Sequence, residues 1–145
     1  MYHLMWLHLK NCIIPAKKAE LLRMFGSAEA VYRADKKKFT EYGISNPAIL
    51  KALTDKNMRQ AEKEILEAAR LGIHIIAFGS AEYPKILKEI PDPPLILYVR
   101  GDVSVLHNRN AFCIVGTRHS TVYGMSAALG VSEQLARCGM VIVSG

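Results

Sequence analysis

Apolar positions follow two regimes along the chain. From Pro15 to Leu71 they recur at three- and four-residue spacing, the period of a helix with one covered face. Pro15 suits the first turn of a helix running to Phe25, with Ala19, Leu22 and Phe25 on one side. Gly26-Ser27 ends it, and Ser27 caps a short helix through Tyr32. Asp35 caps the next, from Lys36 to Tyr42, which Gly43 stops. Asn46-Pro47 reads as cap and first turn of a helix to Leu53. Asp55 or Asn57 opens a longer one, with Met58, Ala61, Ile65, Ala68 and Leu71 in step, and Gly72 closes it. Five or six short helices with tight turns make a small all-α domain over residues 1–71.

Beyond Gly72 the period changes. Ile73 to Phe78 is a short, β-branched apolar run ending on Gly79. Leu95 to Val99 is another, entered through Pro91-Asp92-Pro93-Pro94. Ala111 to Val115 ends on Gly116, and Met140 to Val143 ends on Ser144-Gly145. Continuous apolar strands of this kind suit a sheet covered on both faces. Between the last two runs lies a helical pattern from Tyr123 to Cys138, with Ala127, Val131 and Leu135 on one side and Gly139 at its end. Strand, helix and strand at this length make a right-handed βαβ crossover. The expected fold class is therefore α/β: a small all-α domain, then the first part of a Rossmann-like sheet over residues 72–145.

Composition narrows the setting. Half of the 145 residues are apolar and 22% are charged, which is globular composition. No stretch approaches the roughly 18 apolar residues of a membrane span. Met1 to Leu9 is too short and too rich in histidine for a secretory signal. Cys12, Cys113 and Cys138 are scattered and form no CxxC, against a disulfide framework or zinc knuckle. A cytoplasmic protein of a reducing compartment is expected. The net charge of +6 is uneven. Residues 1–70 hold 13 basic and 8 acidic side chains, against 6 and 5 in residues 71–145. A basic face suits a phosphate backbone, and a solvated helical surface explains the same count.

Candidate chemistry gathers where strands end, since ligands of open α/β sheets bind outside the carboxyl ends of strands. Gly116-Thr117-Arg118 follows the third run. Ser120 or Thr121 can cap the next helix, whose free amides attract an anion. Arg118 adds a bidentate cation suited to phosphate. Ser144-Gly145 ends a neighbouring strand, and together these residues outline a phosphate-sized niche. The plain alternative is a βα turn with a surface arginine. No G-x-G-x-x-G and no Walker A is present, so dinucleotide and NTPase readings lack their fingerprint. His119 reads as a solvated loop histidine and His74 as a core or edge residue. Lys36-Lys37-Lys38 reads as a solvated helix start, Tyr83 and Tyr98 as packing aromatics, and Cys113 as a small buried hydrophobe.

Tyr83-Pro84 followed by Asp92-Pro93-Pro94 and Leu97-Tyr98-Val99-Arg100-Gly101 gives the pattern YPxxLxxIxDPPxxLYxxG. Ile114-Val115-Gly116-Thr117-Arg118, Tyr123-Gly124 and Val143-Ser144-Gly145 follow in order. This series closely resembles the DNA processing protein A (DprA/Smf) family, and Leu21 to Tyr32 is similar to its sterile-alpha-motif-like or helix-hairpin-helix domain. The resemblance implies a Rossmann-like fold that binds single-stranded DNA, protects incoming strands in natural transformation and helps load the RecA recombinase. It implies no catalytic activity, no cofactor, no metal and a homodimer in the full-length protein. It carries the DNA-phosphate pocket onto Arg118, with Gly116, Thr117, Ser144 and Gly145 around it.

Two departures stand out. Where the family begins with a glycine hairpin, this chain reads Asn11-Cys12-Ile13-Ile14-Pro15-Ala16-Lys17, with no glycine to bring backbone amides to a phosphate. The chain also stops at Gly145, where the family continues, so the sequence is expected to be the N-terminal part of a longer protein. Two other readings stay open: a Rossmann-type nucleotide-binding enzyme resembling the lysine-decarboxylase-like phosphoribohydrolases, and an inactive folded fragment.

Overall fold

The computed structural model describes residues 1–107 and 110–144. Six helices come first: α1 (Tyr2–His8), α2 (Pro15–Phe25), α3 (Ala28–Arg33), α4 (Lys36–Glu41), α5 (Pro47–Thr54) and α6 (Arg59–Arg70). Then follow β1 (His74–Ala77), α7 (Lys85–Glu89), β2 (Ile96–Val99) and a 3₁₀ turn (Val103–His107). β3 (Ala111–Cys113), α8 (Val122–Arg137) and β4 (Val141–Val143) complete the described chain. The protein is of mixed α/β composition. Two compact units divide it, Met1–Val103 and Ser104–Gly145.

The helical caps are those the sequence predicts. Ser27 accepts from the Ala30 N–H (3.1 Å), Asp35 from Lys38 (2.8 Å) and Asn46 from Ala48 (2.9 Å). Gly26 ends α2 at φ +79°, a left-handed conformation that costs glycine no steric penalty. α6 opens differently. Met58 holds the cap position without a side-chain bond, while Asn57 Oδ1 accepts from the Arg59 N–H at 3.0 Å.

α1 was not legible in the residue pattern, yet it lies at the centre of the first unit. Met5, Trp6 and Leu7 are all buried. Three consecutive buried positions carry no helical period, and α1 has neither a side-chain cap nor an acidic first turn. Trp6 meets Tyr32 edge-on at 5.1 Å, and its Nε1 donates to the Asp55 carbonyl at 2.9 Å. Tyr32 Oη donates to the Lys56 carbonyl (2.8 Å), and Lys56 Nζ to the Ala34 carbonyl (3.0 Å). These bonds pin the turn between α5 and α6 onto α1 and α3. Leu21, Val31, Phe39, Leu53 and Ala61 fill the same core.

The sheet departs from the expectation of one doubly covered layer. Among the described residues there are two two-stranded sheets. β1 and β2 pair antiparallel, His74 opposite Val99 and Ala77 opposite Ile96. Leu95 and Ile96 join the helical core, so the change of element type at Gly72 does not coincide with the division into units. β3 and β4 pair parallel, Ala111 with Val141 and Cys113 with Val143, around α8. That is the predicted strand–helix–strand connection, with shorter strands: Ile114 and Val115 fall outside β3. α8 is also rotated from the expected side. Ala127 and Val131 are exposed, whereas Gly124, Ala128, Ser132 and Leu135 are half-buried. Cys113, expected to be buried, is exposed.

Candidate nucleic-acid interface

Parallel pairing sets the site. β3 and β4 run the same way, so both loops leave from one end of their sheet. The Ile114 N–H donates to the Val143 carbonyl at 2.9 Å, which brings the Gly116-Thr117-Arg118 loop and Ser144 to that end. Gly145 lies outside the described residues.

The loop holds its own shape. Thr117 Oγ1 donates to the His119 carbonyl at 2.9 Å. Thr121, not Ser120, caps α8, accepting the Gly124 N–H at 3.0 Å. A Cβ at Gly124 would stand 3.3 Å from Thr121 Oγ1, so glycine there keeps the cap uncrowded. Gly116 needs no left-handed backbone, and nothing lies within 4 Å of where its Cβ would be. Its contribution is open surface rather than a special turn. Gly116, Thr117, Arg118, His119 and Ser144 are all exposed. Among the described residues Arg118 makes no ion pair and no side-chain hydrogen bond. Its guanidinium therefore stands with five donors available at the N-terminal end of a 16-residue helix. Such an arrangement can take an oxyanion in two-point fashion.

The other candidates separate from this site. Tyr83 is fully buried, with its hydroxyl donating to the Pro94 carbonyl at 2.8 Å and its ring edge-on to Phe78 at 5.3 Å. Tyr98 Oη donates to Met5 Sδ at 3.4 Å. Tyr83 is a packing aromatic, whereas Tyr98 is tethered by its hydroxyl and is 41% exposed. His74 sits exposed at the start of β1, 3.1 Å from Glu82. Lys36, Lys37 and Lys38 are solvated. Asp92, of the Asp-Pro-Pro run, accepts the Ala16 N–H at the start of α2. The first turn of α2, at the end of the stretch that lacks hairpin glycines, thus has an amide already satisfied by a carboxylate of the same chain.

Two features escaped sequence reasoning. Lys18 is buried, donates to the His8 carbonyl, and lines a hollow of about 320 Å³ with His8, Ile13, Ile14 and Leu95. Burial pushes its amine below the usual lysine range, and pushes His8 down as well, with Lys18 adding to the effect on His8. Nothing in the spacing of Lys17-Lys18 marks the second as the inward one. Tyr123 reads as one more residue of a helical pattern, and its exposure emerges only from the rotation of α8.

A parallel βαβ crossover with an exposed cationic loop at its strand ends defines the class: a mixed α/β protein. Comparison with known proteins narrows it. The family described as DNA recombination-mediator protein A matches residues 74–145. The DNA processing protein DprA of Bacillus subtilis is 42% identical over 74 residues, covering 51% of this chain and 25% of the relative. Protein Smf of Synechocystis is 27% identical over 148 residues, covering 99% of this chain and 37% of the relative. Protein Smf of Borreliella burgdorferi is 27% identical over 134 residues, covering 89% and 41%. The chain belongs to the DprA/Smf family of DNA processing proteins. It spans between a quarter and about two-fifths of the length of these relatives. No helix among the described residues is long and apolar enough to cross a membrane.

Proposed function

We propose that the chain binds single-stranded DNA through a phosphate niche at the carboxyl ends of β3 and β4. Arg118 is the principal contact, with Gly116, Thr117 and Ser144 at the same strand ends. The observation that carries this reading is the unpartnered, exposed Arg118 guanidinium at the entry of α8, beside an open Gly116. A phosphodiester needs charge and two acceptor oxygens met at once, and an arginine fork beside helix amides supplies both. Backbone recognition of this kind reads no bases, so binding is electrostatic and falls as salt rises from about 50 to 200 mM.

The family match extends the proposal to a DNA-processing role in recombination. By the same reasoning we assign the full-length protein to the protection of incoming strands and the loading of RecA, as a cytoplasmic homodimer of Rossmann-like core without catalytic activity. Fluorescence anisotropy with labelled oligo-dT tests the niche. Arg118→Ala should lower affinity by about 1–3 kcal/mol, the worth of a charge-assisted hydrogen bond, and leave the melting temperature in place. A folded Arg118→Ala variant that binds normally rejects it.

A further inference from the structure

Tyr123 is 82% exposed, with Val115 at 84% and Val122 at 81% on the same loop and helix start. These are large apolar side chains around an arginine, where solvated loops ordinarily carry small polar ones. At about 100° per residue, Tyr123 lies well off the side of α8 that holds Gly124, Ala128, Ser132 and Leu135. Among the described residues its ring meets no other ring and its hydroxyl has no partner. Tyr32, Tyr83 and Tyr98 are each tied by hydroxyl bonds, and Tyr42 lies 4.7 Å from the Phe25 ring. A free phosphate would use Arg118 and leave this apolar surface idle. A nucleotide strand presents a phosphate and a flat apolar ring together, and would use both.

We infer that Tyr123 is a stacking platform for a nucleobase of the strand whose phosphate meets Arg118. The inference rests on the phosphate niche proposed above. It makes the site selective for unpaired strands: the two faces of a paired base are covered by its neighbours, whereas an unstacked base can lie flat on an aromatic ring. The stacking is tolerant of base identity, because every base has a π-face.

The test compares oligo-dT with an abasic deoxyribose-phosphate oligomer of equal length, at fixed salt, on the 145-residue chain. Tyr123→Ala should lose about five- to a hundredfold in affinity for oligo-dT, the range of alanine substitutions at stacking aromatics, and stay within twofold on the abasic strand. Tyr123→Phe should bind as the parent does. Tyr123→Leu, apolar and bulky but without a π-face, should behave like alanine, and serves if the alanine variant melts early. Arg118→Ala should weaken both ligands. Equal losses for Tyr123→Ala on both ligands, no loss on oligo-dT, or a parent that does not prefer oligo-dT would each overturn the stacking role. An unchanged affinity of Arg118→Ala for the abasic strand would instead overturn the niche itself.

Discussion

The two units spend their apolar residues in opposite ways. In Met1–Val103 the apolar side chains converge, and among the described residues every buried side chain, from Met5 to Ile96, belongs to this unit. In Ser104–Gly145 the described side chains are at best half-buried, and Val115, Val122, Tyr123 and Leu129 face outward. The family motifs divide along the same line. Tyr83 and Asp92 are absorbed into the packing of the first unit, one bonding the Pro94 carbonyl and the other the start of α2. The Gly-Thr-Arg loop of the second has its Thr117 hydroxyl bonded within the loop, and among the described residues its arginine makes no ion pair. Motif residues of one series therefore sit in different settings: one set is built into the packing, and the other is exposed.

The sharpest way to break this contrast is to cut into each unit in turn. Trp6→Ala removes a fully buried ring and the indole bond to the Asp55 carbonyl, and should cost about 3–5 kcal/mol in urea denaturation. Leu129→Ala, at a 71% exposed position of α8, should change stability by less than about 0.5 kcal/mol. Comparable losses at the two positions would erase the distinction between the units.

A second pair exchanges binding for stability. Arg118→Ala should weaken oligo-dT binding by about 1–3 kcal/mol without moving the melt. Asp92→Ala should do the reverse, costing about 0.5–2 kcal/mol of stability as α2 loses the carboxylate at its N-terminus, with binding intact. Loss of binding by a folded Asp92→Ala would place the Asp-Pro-Pro run at the ligand after all.

The smallest effect concerns acid. Lys10 Nζ lies 3.0 Å from Asp55 Oδ2, and that bond, followed by the Asn57 N–H, holds the Asp55 carboxyl below its ordinary range. A lowered folded-state value means stabilisation that is present above about pH 4, the unfolded carboxylate range, and lost as pH falls through the lowered one. The Asp55 carboxylate is 60% exposed and screened by solvent, so the pair is worth about 0.2–1 kcal/mol and fades with salt. Lys10→Met should flatten this part of the acid limb of stability, read by denaturation between about pH 2 and 6.

Local chemistry was the legible part of the fold. Ser27, Asp35 and Asn46 cap where their side chains allow, and Gly26 turns left-handed where a helix has to stop, because these choices are settled within four residues. What depends on distant partners was not legible. Met5-Trp6-Leu7 has no period, and only the surrounding helices make it a core helix. The antiparallel pairing of β1 with β2 is chosen by the tertiary setting, since buried strands look alike in either direction. The covered side of α8 is not that of Ala127 and Val131 but that of Gly124, Ala128 and Ser132. In the site, the position of Arg118 followed from the strand–loop–helix order. Which of its neighbours was exposed did not.

The bond between the Ala16 N–H and Asp92, with Leu95 and Ile96 in the helical core, also has a consequence in time. On a ribosome α2 emerges early, but the carboxylate that completes its first turn is made 76 positions later. The helical core lacks Leu95 and Ile96 until β2 has cleared the exit tunnel. Closing so long a loop is slow, though its added entropic cost grows only logarithmically with length. The first unit thus cannot close its core until most of it has been made, and the Asp-Pro-Pro run is the segment whose arrival completes the start of α2.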